Sequence, residues 1–152
     1  MIHNPKQLYL LYKRYKNEFP HGIRRENSVI RNRENIPTPF ICACQNGRMN
    51  DVKQFINLHG FHVYINVDVP EGSLDVKAMV SQLGYDSNGN NVTPLIVAAI
   101  YEHTNMVEYL LQHDVDVSIT RSINGDNALH YAAAGNTTNT NIIQLLLNKM
   151  SL

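Results

Sequence analysis

Seven histidines, two cysteines and one close pair of aspartates are the side chains in this 152-residue chain best suited to holding a metal or moving a proton. His3, His21, His59, His62, His103, His113 and His130 are scattered along it. His59 and His62 come closest together, but Gly60 lies between them and breaks the regular helical face that a shared zinc ligand pair needs. Cys42 and Cys44 sit two apart, with no second ligand pair to complete a tetrahedral site. Asp114 and Asp116 share a turn, and no partner or pocket is implied that would make them a general acid and base. No glycine-rich phosphate loop, HExxH helix or Gly-x-Ser-x-Gly elbow is present. The reading is a chain with no catalytic set, no metal site and no cofactor.

The elements that position these residues are short helices in pairs. In TPLIVAAIYEHTNMVEYLLQHDVDVS, Thr93 is placed to cap a helix and Pro94 to occupy its first turn. Leu95, Ala98 and Ala99 form one apolar face. After a break at His103 to Asn105, Val107, Leu110 and Leu111 form a second. Two such helices cannot bury their shared face alone, so the unit needs neighbours. They are present: TPFICACQNG with VKQFINLHG from Thr38, and NALHYAAAG with IIQLLLNKM from Asn127. Thr93 and Asn127 are 34 residues apart, against about 33 for a known two-helix repeat. Thr38 and Thr93 are 55 apart, so extra residues intervene. Cys42 and Cys44 then match Val97 and Ala99, which marks them as small packing residues in a reducing compartment.

These segments resemble the ankyrin-repeat family from about Ile36 to Leu152. The resemblance implies an all-α solenoid of about three helix-turn-helix repeats, here with an extra N-terminal helix. The departures from the family's pattern are specific. Its inter-helix Gly-His becomes Glu102-His103, and Asp114 stands where a glycine normally takes a left-handed conformation. His130 alone keeps the family's histidine, for which the resemblance implies a structural hydrogen bond between repeats.

Residues 1–35 hold eight basic and three acidic residues, whereas 36–152 hold five and ten, so a basic leader precedes an acidic body in a chain of zero formal charge. Pro5 to Glu18 predicts a helix, with Leu8, Leu11, Tyr12, Tyr15 and Phe19 as its stripe and a role covering the first repeat. The polar stretch from His21 to Asn35 predicts an extended leader anchored by Val29 and Ile30. Residues 61–91 read as an insertion, with a degenerate repeat that lost a helix as the alternative: an enlarged hairpin loop with a short helix over Asp75–Gly84, whose Val76, Met79, Val80 and Leu83 share a side, and then a turn at DSNGN. IIQLLLNKM runs straight to Leu152 without a polar closing face. The expectation is therefore the N-terminal part of a larger repeat protein, or weak self-association through that end.

The resemblance implies a non-catalytic protein–protein interaction module, with a substrate-recruiting or targeting segment of a multidomain enzyme as the alternative. The expected partner is another protein. Nucleic acid is disfavoured because the basic leader carries no base-reading helix or aromatic platform. No apolar run reaches the 18 residues of a membrane span. The expected location is the cytosol, with the nucleus second. Recognition is expected at the variable positions of the first helices and hairpin tips: Tyr101, Tyr131, Glu102, Asn90, Asn124, Asp126 and Arg48, with Gln45, Asn46, Asn88, Val92, Ile100 and Ala134 beside them. Tyr101 and Tyr131 are the expected anchors, since aromatic side chains dominate interface energies.

Overall fold

The computed structural model describes residues 5–19, 22–23, 35–59, 76–113, 115, 128–129, 132 and 140–150. Threonine and proline open two of its helices in the same way. In α2 (Pro39–Gln45) the Thr38 hydroxyl accepts from the Ile41 N–H at 3.3 Å, and proline fills the first position. In α5 (Pro94–Ile100) Thr93 accepts from Ile96 N–H at 3.1 Å, again ahead of a proline. Each hydroxyl satisfies an N–H that the helix itself leaves unpaired, and proline has none to leave.

The ends of these two helices also match, 55 residues apart. Arg48 N–H reaches back to the Ala43 carbonyl and His103 N–H to the Ala98 carbonyl, both at 2.9 Å. That six-to-one bond requires a left-handed residue just before it. Gly47 supplies it at φ 68° and Glu102 at φ 58°. Packing partners follow at once: α3 (Met49–His59) after α2, and α6 (Thr104–Leu111) after α5. Glutamate in this conformation brings its Cβ against the carbonyl. Glu102→Gly is therefore expected to stabilise the chain by about 0.5–1 kcal/mol, the strain relieved less the backbone entropy glycine adds. Thermal unfolding followed by circular dichroism reads it, and a lowered midpoint would count against strain at this turn.

The helices pack in a series that departs from chain order. α1 (Pro5–Glu18) lies mainly on α3 and also touches α2. α2 packs on α3 and α5, α5 on α6, and α6 on α7 (Thr140–Met150). Ala128, Leu129 and Ala132 are also helical. The core runs through all of them: Tyr15, Phe40, Phe55, Leu95, Ile96, Met106, Leu110, Ile142 and Leu146 are fully buried. Among the described residues no helix is long and apolar enough to cross a membrane.

Within residues 61–91 a short helix, α4 (Val76–Val80), precedes a two-stranded antiparallel hairpin, β1 (Gly84–Tyr85) and β2 (Asn91–Val92). The helix expected over Asp75–Gly84 is thus shorter. The Thr38 hydroxyl donates to Gln82 Oε1 at 2.7 Å, while Gln82 Nε2 donates to the Met79 carbonyl at 2.9 Å. These bonds occupy the chain where another helical turn would form. Met79 and Val80 are buried as expected, but Leu83 lies beyond the helix and is exposed. The Val29 and Ile30 anchors, Asp114 and His130 lie outside the described residues.

Charge as well as apolar area holds α1 to α3. Arg14 Nη2 donates to Asp51 Oδ1 at 2.7 Å, and the buried Tyr15 hydroxyl donates to Asp51 Oδ2 at 2.6 Å. Asp51 stands in the first turn of α3, where the helix dipole favours an anion. Burial pushes its carboxyl up, but the bonds from Arg14 and Tyr15 outweigh burial and hold it below the usual range. A pKa depressed in the folded state stabilises above the unfolded value and is lost as pH falls through the folded one. The α1–α3 contact is therefore expected to loosen on acidification below about pH 4. Asp51→Asn should remove that acid limb. Near-ultraviolet circular dichroism of the tyrosines follows both, and an unchanged acid profile in the variant would discount this cluster.

Candidate functional site

The tip of the hairpin is built around one buried carboxylate. Asp86, 2% exposed, heads the turn Asp86-Ser87-Asn88-Gly89-Asn90. Its Oδ1 accepts from the backbone N–H groups of Asn88 and Asn90, both at 2.9 Å, and its Oδ2 from Asn90 Nδ2 at 3.3 Å. Aspartate is suited to this because its short side chain reaches backbone donors two residues on. Gly89 takes the left-handed position at φ 82°, and its N–H donates to the Asp86 carbonyl at 3.1 Å. The Asn91 side chain closes the base by donating to the Gly84 carbonyl at 2.9 Å.

The preceding helix pair braces this tip. Gln45, the last residue of α2, accepts from Ser87 N–H at 2.9 Å and donates through Nε2 to Ser87 Oγ at 2.5 Å. His103 Nε2 lies 2.7 Å from the Gln45 backbone carbonyl. A carbonyl only accepts, so Nε2 carries the proton. One residue of α2 thereby ties the hairpin tip to the turn between α5 and α6.

The braced tip displays a neutral, amide-rich surface beside an apolar one. Asn88 and Asn90 are exposed, and Ile100 and Tyr101 at the end of α5 are each 37% exposed. Asn88 Nδ2 donates to the Tyr101 hydroxyl at 3.3 Å, and the Tyr101 ring stacks on His103 with centroids 6.4 Å apart. Burial, and then Asp86, push the Tyr101 phenol up, so it presents a neutral hydroxyl. Glu102 is exposed next to Tyr101 and rims a shallow open depression floored by Met106.

Tyr101, Glu102 and Asn90 are therefore neighbours on one surface. Arg48 faces a different task. Its guanidinium makes a two-pronged ion pair with Glu18 of α1 at 2.8 and 2.5 Å, and it lies over the Tyr15 and Phe19 rings at 5.4 and 5.6 Å. Tyr131, Asn124, Asp126 and Ala134 lie outside the described residues. Two neighbouring expectations need correction: Val92 is fully buried in the core, and Gln45 is buried and acts as the brace. Local pattern reading marked the turn at DSNGN but did not single out the Asp86 carboxylate as the group that organises it.

The thiols offer no nucleophile. Cys42 and Cys44 are buried, and burial pushes the Cys42 thiol up to about 11, so it stays protonated. No group of three metal-ligating side chains comes together among the described residues.

The repeated caps, the shared left-handed turns and the braced hairpin describe one supersecondary unit used more than once. A family model described as ankyrin repeats (3 copies) matches residues 69–151, more than half of the chain. The chain belongs to the ankyrin-repeat family. The match takes in α4, the hairpin and α5 to α7. It begins after α2 and α3, whose likeness to α5 and α6 rests on the caps and turns described above. A search of curated proteins gives no match. Ankyrin repeats generally mediate protein–protein interactions and are typically non-catalytic.

Proposed function

We propose that this ankyrin-repeat chain is a non-catalytic recognition module, a repeat solenoid capped by α1, that binds a partner protein through its hairpin tip and the C-terminal end of α5. One observation carries the reading: Asp86 and Gln45 brace the hairpin so that Asn88, Asn90, Ile100 and Tyr101 are displayed together. A surface already ordered before binding loses little freedom on association. Tyr101 supplies apolar area and a neutral hydroxyl, the combination favoured at interface anchors. The buried free thiols suit a reducing compartment, and we propose the cytosol as the location.

Tyr101→Ala tests this face. With a partner recovered on the whole chain, the substitution is expected to weaken binding by more than about 1 kcal/mol, roughly a fivefold to tenfold rise in Kd by titration calorimetry. The unfolding midpoint should move little, because the ring is partly exposed. An unchanged Kd would remove this face from the interface.

A further inference from the structure

The hairpin tip carries chemistry that recognition does not use. Asn88 is followed by Gly89, and glycine has no Cβ to shield its backbone nitrogen from the preceding side-chain amide. We propose that Asn88 is a site of spontaneous deamidation, which irreversibly adds a negative charge to the hairpin tip. The step needs only water and base. The Gly89 nitrogen gives its proton to hydroxide and attacks Asn88 Cγ. The new N–Cγ bond closes a five-membered imide as the Cγ–Nδ2 bond breaks, and ammonia leaves after taking a proton from water. Water then adds to either imide carbonyl, one C–N bond opens, and the product is aspartate or isoaspartate. Nothing is oxidised or reduced.

Of the two Asn-Gly pairs among the described residues, the fold favours this one. Asn46-Gly47 is also an Asn-Gly pair, and Asn124-Gly125 is a third, outside the described residues. Asn46 ends α2 with ψ 6° and its Nδ2 bonded to the Cys42 carbonyl at 2.9 Å. Gly47 lies against the His103 ring. Bringing the Gly47 nitrogen onto Asn46 Cγ means unwinding the end of a wholly buried helix. The Asn88 side chain is held only through one long bond to Tyr101, while its backbone N–H donates to Asp86 Oδ1 and the Gly89 N–H to the Asp86 carbonyl, both within the turn itself. The strands on either side are two residues each, so the tip opens by giving up turn bonds and the two side-chain bonds between Gln45 and Ser87, with no helix unwound. Conversion removes the amide donor to Tyr101 and places a carboxylate between Asp86 and Tyr101. An isoaspartate also lengthens the backbone between the two N–H groups that Asp86 holds. The effect on binding rests on the reading of this face, but the modification does not.

Folded protein held at mildly alkaline pH, sampled over days, digested and mapped by mass spectrometry, tests this without any partner. The peptide containing Asn88 is expected to gain the amide-to-acid mass shift several-fold faster than the peptide containing Asn46. In urea the two rates should converge, and Asn88→Gln should abolish the shift in its own peptide. Equal rates in the folded protein, a faster Asn46, or a difference that persists unchanged in urea would overturn the proposal.

Discussion

Phe55→Ala is expected to remove about 3–5 kcal/mol of stability, the range for truncating a fully buried phenylalanine. Phe55 has no exposed surface and sits where three helices meet. Its ring centroid is 5.0 Å from Tyr12 and 5.5 Å from Tyr15 of α1, and 6.1 Å from Phe40 of α2. Alanine leaves a void that these rings cannot all collapse into, because Tyr15 is also anchored through its hydroxyl to Asp51. Small domains have only about 5–15 kcal/mol in total, so a large share of the margin is at stake. Urea unfolding monitored by circular dichroism should show an earlier midpoint. Phe55→Leu, which keeps much of the volume, should lose clearly less. A loss under about 1 kcal/mol for the alanine variant would mean the cluster does not hold α1 to the repeats.

Gly47→Ala is expected to cost about 2 kcal/mol through strain and collision together. Gly47 has φ 68°, and a Cβ there would lie 3.0 Å from both Cε1 and Nδ1 of His103. The imidazole cannot swing aside freely, since it donates to the Gln45 carbonyl and stacks on Tyr101. Any shift of the ring therefore reaches Gln45 and the hairpin it braces, so binding through Tyr101 should weaken as well. Gly22→Ala is the control. No atom lies within 4 Å of a Cβ added there, so its midpoint should barely move. If Gly47→Ala unfolds at the wild-type temperature, the contact between the inter-helix turns is not made as described. Gly47 and Glu102 thus form a pair of opposite expectations at equivalent positions, one lost by adding a Cβ and the other relieved by removing it.

Much of the local structure was legible before any coordinates. Threonine followed by proline announced the starts of α2 and α5, because a hydroxyl acceptor and a residue without an N–H both suit the unpaired first turn. The DSNGN run announced the turn at the hairpin tip. The spacing of Tyr12 and Tyr15 along α1 matched the face that is buried. Each signal acts within a few residues, and backbone sterics or capping suffices to read it.

The candidate site was legible only in part. Tyr101, Glu102 and Asn90 were picked from variable positions of the repeat and lie together, whereas Arg48, picked on the same ground, is drawn to Glu18 and the aromatic rings of α1. Val92, also picked as a variable position, is instead fully buried beside α5. Gln45 looks like a polar surface residue at the end of a helix, but its partner Ser87 is 42 residues away.

The sequence by itself determined the repeat unit, its caps, its turns and the absence of a catalytic motif, since these follow from short-range periodicity and residue type. Only the tertiary structure decided which charges are spent internally, which polar side chain braces the hairpin and which faces remain open. Arg14 and Asp51 are 37 residues apart, and Thr38 and Gln82 are 44 apart. No local pattern encodes such pairs. They form because packing the apolar faces brings those side chains within hydrogen-bond distance, where leaving a buried polar group unpaired costs more than ordering it.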